Sequence, residues 1–373
     1  MKVLHICSDF ANQSIYNQMI SNLNKFDIKQ DIYVPVRSSE EVGKNVNNEL
    51  KNTKYFYAHI LTKLDRINYF GKIKKTTNFI DNNSSINDID VIHAHFLFSD
   101  GGIAYQLYKK YNKPYVVAIR NTDLNLFFKY FLHLRPYVNK ILKNASTIIF
   151  LSNAYKDLFI NKYIPLSDKI EIEKKIRIIP NGIEDFWHHN SPCLPKSLDN
   201  FSILYVGNFT PNKNVLLTIY SVAKLRMKGF NVTLNILGGG GSDEKKIRKL
   251  STMHDWINLY SKTNNKEVIK EVYRKSHIFC MPSKYETFGL VYIEALSQGL
   301  PIIYTRGQGV SGYFKEGVVG YSVIPCDVDD VVKKLELIIN NYHTISLNTT
   351  KYSKEFMWDK IVNDYISIYN SLL

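Results

Sequence analysis

The feature of this sequence that most constrains its fold is a regular alternation of short apolar runs with stretches of helical periodicity. The runs are VLHIC, DIYVPV, DVIHAHF, PYVVAIR, STIIFLS and IRIIP in the first half, and FSILYVG, VTLNILG, HIFCMPS, PIIYTR and YSVIP in the second. Each run is almost continuously apolar, as expected for strands that helices cover on both faces. Repeated strand–helix units predict an α/β protein with doubly wound parallel sheets.

A turn-rich stretch, PNGIEDFWHHNSPCLPKSLDN at residues 180–200, interrupts this alternation and is interpreted as a linker. The chain has 373 residues, which favours two domains over one core. We predict Rossmann-like domains over residues 1–185 and 198–354, followed by an amphipathic helix over about 355–373. Ligands of open α/β sheets bind beyond the carboxyl ends of the strands, so a cleft between the two domains is the expected site.

The composition of the chain indicates which ligands and which cellular compartment to expect. The formal charge of +14 favours anionic partners such as nucleotides, phosphates or an acidic membrane, although a bias towards Lys and Asn would also produce it. No apolar run approaches the roughly 20 residues of a membrane span, and the N-terminus does not resemble a signal peptide, so we expect a cytoplasmic protein. The four cysteines, Cys7, Cys193, Cys280 and Cys326, form no C-x-x-C pair, which argues against a zinc site or disulfide framework.

The segment SKYETFGLVYIEALSQGLP, residues 283–301, carries two carboxylates, Glu286 and Glu294, around a predicted helix. We expect the helix to begin near Thr287 and to end at Gly299. Glu286 then lies in the loop before the helix. Glu294 lies two turns in, about 12 Å along the axis if the whole segment is helical.

Backbone donors at the same helix start suit hydroxyls or phosphate, namely the amides of Phe288, Gly289 and Leu290. One extended ligand could therefore be held at two places, with Glu286 accepting hydrogen bonds from a sugar and Glu294 from a ribose. The spacing alone leaves the plainer alternative open, in which both carboxylates are only surface charges.

Several motifs of this sequence resemble those of glycosyltransferase family 4, whose fold is called GT-B. The string MPSKYETFGLVYIEALSQGLPII meets every fixed position of the family pattern P-S-x-x-E-x-F-G-x-x-x-x-E-A-x-x-x-G-x-P. LYVGNFTPNKN is similar to V-G-R-L-x-x-x-K-G, LNILGGGG to a glycine turn of the donor domain, and IRIIPNGIEDF to a junction motif. DVIHAHF and PYVVAIRNTDLN resemble two acceptor-domain strands. Together these motifs cover most of the chain.

The resemblance implies that residues 198–354 bind a nucleotide-sugar donor and that residues 1–185 bind the acceptor, with the C-terminal helix packing back on the acceptor domain. Glu294 would hold the ribose, and Glu286 would contact the transferred sugar together with the amides of Phe288, Gly289 and Leu290. Lys213 matches the phosphate-binding lysine of the family. The further donor-binding positions are Gly207, Asn208, Gly239 and Ser261.

The sequence departs from the family pattern at three positions. Asn208 stands where an arginine is usual, so the pyrophosphate would be held more weakly or by another cation. Ser261 replaces a common glycine near the base, which leaves the base open. Gly312 replaces a frequent glutamate.

In the first domain, the RNTD motif after a predicted strand carries Arg120, Asn121 and Asp123. Many family members carry histidine at the position of Arg120. Arginine cannot act as a base at neutral pH, so we expect Arg120 to hold a sugar or phosphate. A structural Arg–Asp pair is the alternative.

Two histidines of the DVIHAHF run share one face of their strand. His93 and His95 could bind a metal only with a third ligand, which the sequence does not identify, so no metal is predicted. Structural or acceptor-lining roles remain. We expect Asn121, Asp123 and His95 to bind the acceptor.

Two segments are both basic and aromatic: KNTKYFYAHILTKLDRINYFGKIKK from Lys51 and LFFKYFLHLRPYVNKILK from Leu126. Such segments can rest on the anionic inner face of a membrane, and solvated helices with an inward aromatic face would look the same. Nucleic acid is not an expected partner, because no RNA-binding motif accompanies the charge.

The resulting hypothesis is a retaining, metal-independent hexosyltransferase without a cofactor. It would move a sugar from a nucleoside-diphosphate sugar to a hydroxyl of a glycan or lipid-linked acceptor in surface polysaccharide synthesis. Retention, metal independence and setting are implied by the family resemblance, and Glu286, Lys213 and Arg120 are the residues expected to carry the reaction. A sugar-nucleotide epimerase and a non-catalytic nucleotide-sugar-binding protein are the alternatives, the latter because of Asn208.

Overall fold

The computed structural model describes residues 1–192 and 200–373 and divides into two compact units. The first unit comprises Met1–Leu151, Lys156–Gly182 and Trp358–Leu373, and the second comprises Ser152–Tyr155 and Ile183–Met357. The breaks after Gly182 and before Trp358 fall within a few residues of the predicted limits at 185 and 355. The predicted start at 198, Cys193 and the later part of the predicted linker lie outside the described residues.

The first unit contains a sheet of seven strands, all parallel, in the order β3-β2-β1-β4-β5-β6-β7. Its strands are β1 (Lys2–Ile6), β2 (Lys29–Val36), β3 (Thr53–His59), β4 (Val91–Ala94), β5 (Tyr115–Ile119), β6 (Thr147–Phe150) and β7 (Ile176–Ile178). The helices along this part of the chain are α1 (Ser14–Asn24), α2 (Tyr69–Asn83), α3 (Ser99–Tyr111), α4 (Phe128–Tyr130), α5 (Arg135–Asn144), α6 (Asn153–Tyr163) and α7 (Leu166–Lys174). Every residue of β4, β5 and β6 is buried, which is why these strands are almost continuously apolar, with His93 and Thr147 as the polar residues.

The second unit contains a sheet of six parallel strands in the order β10-β9-β8-β11-β12-β13. Its strands are β8 (Phe201–Gly207), β9 (Val232–Gly238), β10 (Ile257–Ser261), β11 (Ile278–Cys280), β12 (Ile302–Thr305) and β13 (Gly320–Val323). Its helices are α8 (Asp185–His189), α9 (Val215–Met227), α10 (Glu244–Met253), α11 (Lys266–Arg274), α12 (Leu290–Ser297), α13 (Val328–Asn340) and α14 (Tyr342–Ser353). The direction of winding reverses between β8 and β11, and ligands of such sheets bind beyond the carboxyl ends of the strands at that point.

The last helix, α15 (Trp358–Asn370), packs in the first unit although it follows the second unit in sequence. Its buried residues, among them Trp358, Tyr365 and Tyr369, lie on one face. The indole Nε1 of Trp358 donates a hydrogen bond to Oε1 of Gln18 on α1 at 2.9 Å. A Cβ built on Gly182 would lie 2.7 Å from the Trp358 ring, so glycine allows this close packing.

Three elements differ from the sequence-based expectation. Strand β3 lies in the basic aromatic segment from Lys51, for which the expectation is a membrane-resting stretch or a solvated helix. Its polar and aromatic residues do not form the apolar run that predicts a strand. Strand β10 was missed for the same reason, since only Ile257 of its residues is fully buried. The predicted linker contains the short helix α8, which buries Trp187.

Replacing the buried indole of α15 tests how far this helix stabilises the first unit. Trp358→Ala removes a side chain that is 2% exposed, so we expect unfolding of this unit to become easier by about 3–5 kcal/mol. Leu373→Ala, at a position that is 71% exposed, is the control and should change stability by less than about 0.5 kcal/mol. Equal midpoints of thermal unfolding for the two variants would contradict a stabilising role of α15.

Candidate functional site

An ion pair joins two of the predicted site residues at the reversal point of the second sheet. Nζ of Lys213, in the loop after β8, lies 2.6 Å from Oε2 of Glu286, in the loop after β11. Their side chains are only 29% and 12% exposed. The amide of Lys284 donates to the carbonyl of Asn212 at 2.8 Å, which ties the two loops together. Residues that are 73 positions apart in sequence thus form one polar centre.

A third loop, after β12, supports the backbone around Glu286. Oε1 of Gln308 accepts a hydrogen bond from the amide of Glu286 at 3.2 Å, and the amide of Gly309 donates to the carbonyl of Glu286 at 2.8 Å. A Cβ at Gly309, whose φ is +55°, would lie 2.8 Å from the carbonyl oxygen of Phe288, so this approach requires glycine. Gln308 is not among the residues that the sequence predicts for the site. A pattern of strands and turns does not indicate which side chain accepts a hydrogen bond from the amide of a residue far away in sequence.

Helix α12 begins at Leu290, later than the predicted start near Thr287. Gly289 has a φ of +82° and serves as the residue before the helix, and a Cβ there would lie 2.5 Å from the Tyr292 ring. The left-handed conformation of Gly289 delays the helix and turns the chain after Glu286. The predicted end is correct, since Gly299 follows the helix with a φ of +81°.

The amides at the start of α12 remain candidate donors. Within the described part of the chain, no acceptor is assigned to the amides of Phe288, Gly289 and Leu290. The Phe288 side chain is 2% exposed and its ring lies 5.7 Å from that of Phe356, so only its backbone is available to a ligand. Free amides at a helix start suit an anionic or hydroxyl-rich group.

Glu294 lies on α12 four residues after Leu290, which is about one turn or 6 Å along the axis, because the helix begins later than the predicted start near Thr287. The hydroxyl of Tyr273 donates a hydrogen bond to its Oε2 at 3.3 Å. Burial raises the pKa of Glu294 to about 7, the hydrogen bond from Tyr273 opposes this shift, and the nearby charge of Glu184 adds to it. Tyr273 is a site residue that sequence reasoning missed.

The ends of three neighbouring strands bring the remaining donor-side candidates together. The register pairs Gly207 with Gly238 and Gly238 with Ser261. Beyond these ends, Nζ of Lys262 donates to Oδ1 of Asn208 at 3.2 Å, and a Cβ on Gly239 would lie 3.5 Å from Cβ of Lys262. The cation of Lys262 therefore lies next to Asn208, the position at which an arginine is usual in the family. Lys262 is not among the residues that the sequence predicts for the site.

The first unit holds the RNTD turn in a buried environment. Asp123 is 0% exposed, and its carboxylate accepts hydrogen bonds from the amides of Leu97, Phe98 and Arg120 at 3.2, 3.1 and 2.9 Å. Burial raises the pKa of Asp123 to about 6. With its oxygens engaged by backbone donors, Asp123 fixes the turn, and the structure offers no sign of the predicted acceptor contact.

Arg120 and Asn121 of the same turn keep polar atoms that could serve a ligand. Nε of Arg120 donates to the carbonyl of His95 at 3.3 Å, while its buried Nη1 has no partner among the described atoms. The side chain of Asn121 accepts a hydrogen bond from Asn125 and is partly exposed.

Three histidines cluster in the core of the first unit, and His95 of this cluster accepts a hydrogen bond from Arg120 through its carbonyl. His5 supplies the third potential ligand that the sequence analysis could not identify, and one nitrogen of each of His5, His93 and His95 lies within 4.8 Å of the others. Burial lowers the pKa of all three, so they are neutral at pH 7. His5 Nδ1 lies 3.1 Å from His95 Nε2, and His93 Nδ1 lies 2.6 Å from the hydroxyl of Tyr369.

These contacts favour a structural role for the three histidines. His5 and His95 are spaced for a hydrogen bond, and so are His93 and Tyr369. The ring centroids of His93 and His95 lie 4.1 Å apart, with an angle of 17° between the ring planes. His95 is 1% exposed, so it does not reach an acceptor in this conformation.

Comparisons with known proteins identify the family of both halves of the chain. The family model described as glycosyl transferases group 1 matches residues 190–356, and that of Glycosyltransferase Family 4 matches residues 32–185. An uncharacterized glycosyltransferase of Methanocaldococcus jannaschii is 27% identical over 331 residues, which are 87% of each chain. The capsular polysaccharide biosynthesis glycosyltransferase CapM of Staphylococcus aureus is 27% identical over 272 residues, covering 66% of this chain and 67% of CapM.

Solved structures show the same fold at lower identity. Sucrose-phosphate synthase from Thermosynechococcus elongatus superposes with a TM-score of 0.76 at 19% identity, over 100% of this chain and 99% of that one. HepE of Anabaena, in complex with UDP and glucose, gives a TM-score of 0.70 at 15% identity over 100% of both chains. None of the described helices has both the length and the apolar character needed to cross a bilayer. The two matched regions and the two parallel sheets together show that this chain is a glycosyltransferase of the family 4 type with the GT-B fold.

Proposed function

We propose that this enzyme transfers a hexosyl group from a nucleoside-diphosphate sugar to an acceptor hydroxyl, with retention of the anomeric configuration and without a metal. The observation that carries the proposal is the pair of Lys213 and Glu286, next to the free amides of Phe288, Gly289 and Leu290. A sugar diphosphate requires positive charge and backbone donors for its phosphates and a carboxylate for its sugar hydroxyls. The carboxyl ends of the second sheet's strands provide all three.

Each donor-side residue takes a part of the ligand that matches its chemistry. Lys213 would bind a phosphate oxygen, which would release Glu286 from its ion pair to accept hydrogen bonds from the sugar hydroxyls. Glu294, held by Tyr273, would accept hydrogen bonds from the ribose. Gly207 and Ser261 end β8 and β10, and Gly239 directly follows β9. We expect the diphosphate and base to bind there, because the absence of a large side chain lets a ligand approach the backbone.

A second cation completes the phosphate site. Lys262 lies where it contacts Asn208, the residue that replaces the usual arginine, and we propose that it turns to the diphosphate when the donor binds. Departure of a nucleoside diphosphate develops negative charge on phosphate oxygens. Two lysines and the amides at the start of α12 would stabilise that charge in place of a metal ion.

The proposed reaction is a front-side displacement. The bond from the anomeric carbon to the diphosphate oxygen breaks, the bond to the acceptor oxygen forms on the same face, and the leaving phosphate oxygen takes the acceptor proton. Nη1 of Arg120 is the candidate contact to the acceptor in the first unit, together with Asn121. His95 and Asp123 are assigned positioning roles, because both are buried and hold the turn that carries Arg120.

The relatives favour a biological setting without fixing it. CapM acts in capsular polysaccharide biosynthesis, and HepE binds UDP, so we propose a UDP-sugar donor and a role in surface polysaccharide synthesis. A cytoplasmic enzyme that attaches to the inner face of the membrane fits this setting.

A panel of nucleotide sugars, measured by thermal stabilisation, would identify the donor, because a ligand that binds the folded state raises the unfolding temperature. Conversion of the stabilising sugar nucleotide without any acceptor would instead identify an epimerase. Binding with neither transfer nor hydrolysis would identify a non-catalytic binding protein.

Removing the carboxylate of the ion pair tests the catalytic site. We expect Glu286→Ala to lower kcat by at least about 100-fold, because the sugar loses its carboxylate contact while the fold persists. Glu271→Ala, at an exposed position on α11, is the control and should keep full turnover. Undiminished transfer by Glu286→Ala, with matching circular dichroism spectra, would refute the assignment.

Replacing the two lysines tests the phosphate site and whether Lys262 compensates for the missing arginine at position 208. Lys213→Ala and Lys262→Ala should each weaken donor binding, measured by calorimetry, by about 10-fold or more, because each removes a charge-assisted phosphate contact. Adding Asn208→Arg should restore binding to the Lys262→Ala variant, whereas Lys245→Ala, on the exposed face of α10, should change nothing. Unchanged affinity in Lys262→Ala would exclude this lysine from the phosphate site.

The raised pKa of Glu294 predicts a pH effect on stability. The pKa of this carboxyl is about 4.3 in the unfolded chain and about 7 in the folded protein. The folded state therefore holds the proton more tightly, and the stability that this adds is fully present below pH 4.3 and is lost as the pH rises to 7. As pH rises from about 4.3 to about 7, the wild type should lose stability relative to Glu294→Gln. Urea unfolding at pH 5 and pH 7.5, with Glu271→Gln as the control, measures the difference. A wild type that gains relative stability with pH would contradict the burial of this carboxylate.

A further inference from the structure

The loop after β12, residues 306–312, presents the side chain of Gln308 next to Glu286 of the candidate site. Gln308 lies between two glycines in the left-handed conformation, Gly307 with a φ of +72° and Gly309 with a φ of +55°. Glycine adopts such φ values without strain, so these two residues set the path of the loop around Gln308. Gln308 itself is half-buried, which leaves its side chain within reach of a ligand.

Hydrogen bonds anchor this loop to the loop that carries Glu286. The hydroxyl of Thr305 donates to the carbonyl of Ser283 at 2.5 Å. The amide of Gly309 donates to the carbonyl of Glu286 at 2.8 Å, and a Cβ on Gly309 would lie 3.1 Å from Cγ of Glu286. The two loops therefore hold Gln308 and Glu286 in a fixed relation to each other.

The partner of the Gln308 side chain fixes the orientation of its terminal amide. The backbone amide of Glu286 can only donate, so the atom that it contacts at 3.2 Å must be the oxygen Oε1. Nε2 is bonded to the same carbon as Oε1 and is thus turned away from that backbone amide. It carries two N–H donors, and within residues 1–192 and 200–373 it has no acceptor.

The other polar groups of this loop are already engaged. The backbone carbonyl of Gln308 accepts a hydrogen bond from the amide of Ser311 at 3.0 Å. Oγ of Ser311 accepts one from the amide of Gly307 at 3.0 Å, and Nη2 of Arg306 lies 3.9 Å from Oδ2 of Asp330. The side-chain amide of Gln308 is therefore the group of this loop that is available to a ligand.

Glu286 supplies the complementary group. Its Oε2 is paired with Nζ of Lys213 at 2.6 Å, while its Oε1 has no hydrogen-bond partner in the described part of the chain. A carboxylate oxygen only accepts hydrogen bonds and an amide N–H only donates them. Glu286 and Gln308 thus offer an acceptor and a donor from two loops that are tied together.

We propose that Gln308 recognises a hydroxyl of the transferred sugar together with Glu286, and so helps to determine which sugar the enzyme accepts. A sugar hydroxyl both donates and accepts, so it can donate to Oε1 of Glu286 and accept from Nε2 of Gln308. A phosphate oxygen would satisfy only the donor, and an apolar group would satisfy neither. This inference rests on the proposed function, which places the sugar of the donor at Glu286.

Two hydrogen bonds from fixed groups make the position of that hydroxyl a criterion for binding. A sugar that lacks the hydroxyl, or carries it in the opposite configuration, leaves the carboxylate and the amide without their partners. Sites built to bond a hydroxyl reject such analogues more strongly than apolar pockets reject a change of one methylene group. Gln308 is then a specificity-determining residue in addition to a support for the backbone of Glu286.

Two variants of Gln308 separate recognition of the sugar from support of the backbone. Gln308→Glu keeps an oxygen for the amide of Glu286 but loses the N–H donors, whereas Gln308→Met loses both. Calorimetry of the full chain with UDP-glucose, UDP-galactose and UDP-N-acetylglucosamine identifies the UDP-hexose that the wild type binds most tightly. We expect both variants to bind this UDP-hexose about 10-fold more weakly or worse, and to bind UDP within about 3-fold of the wild type.

UDP is the internal control for the charge that Gln308→Glu adds, because repulsion of the diphosphate would weaken UDP and the UDP-hexose alike. Asn340→Asp makes the same change from amide to acid at an exposed position of α13 and should leave both affinities unchanged. An equal loss of affinity for UDP and for the UDP-hexose would overturn the proposal. Wild-type affinities in Gln308→Glu beside an impaired Gln308→Met would also overturn it, and would leave Gln308 as a backbone support only.

Deoxy analogues of the same UDP-hexose identify the hydroxyl. Removing the recognised hydroxyl should weaken binding to the wild type by about 10-fold or more, but binding to Gln308→Glu by less than about 3-fold, because the partner is already lost there. If every deoxy analogue costs both proteins the same factor, Gln308 contacts no hydroxyl.

The role of Gln308 and the proposed function can fail separately. Weaker UDP-hexose binding in Glu286→Ala, with unchanged binding in both Gln308 variants, would support the function and overturn the role of Gln308. Selective loss of UDP-hexose binding in the Gln308 variants, in a protein that transfers no sugar, would support that role and count against the function. If no UDP-hexose binds the wild type, the proposed donor and this inference are both wrong.

Discussion

The ion pair between Lys213 and Glu286 is the interaction around which the candidate active site is organised. It depends on the order of strands in the second sheet, since β8 and β11 are neighbours although β9 and β10 lie between them in sequence. Parallel strands place all their carboxyl ends at one edge, and the reversal of winding separates the following loops enough for a ligand to enter. The pair also holds each side chain in place, because each neutralises the charge that the other would otherwise expose in a half-buried setting.

The sequence predicted the sheets, the class and the fold well, because buried parallel strands must be continuously apolar. It missed β3 and β10, whose residues are only partly buried and so lack that signal. It also placed the start of α12 too early. The helical spacing of apolar residues continues back through Phe288, but the backbone of Gly289 is left-handed, so the helix begins only after it. The Tyr292 ring leaves no room for a Cβ at this position, which requires glycine there.

Site residues could be predicted where their type and spacing in the sequence mark them. They could not be predicted where their role depends on contacts with residues that are distant in sequence or on burial. The carboxylates and Lys213 could be named from motifs, whereas Gln308, Tyr273 and Lys262 act through contacts between distant loops. In the first unit the motif residue Asp123 is fully buried and serves the backbone. Motif membership therefore identified which residues matter there, without identifying what they contact.

The positive charge of the chain takes on a more specific meaning in the structure. Lys262 stands beside the residue that replaces an arginine, and Lys213 pairs with Glu286 at the reversal point of the second sheet. A compositional excess of lysine would distribute charge over solvated surfaces, where a protein gains little from its position. Lys213, whose side chain is 29% exposed, instead lies in a half-buried setting where a nearby anion offsets its desolvation, and Glu286 supplies that anion in the free protein. In the proposed function, part of the excess charge serves the diphosphate of the donor in the second unit.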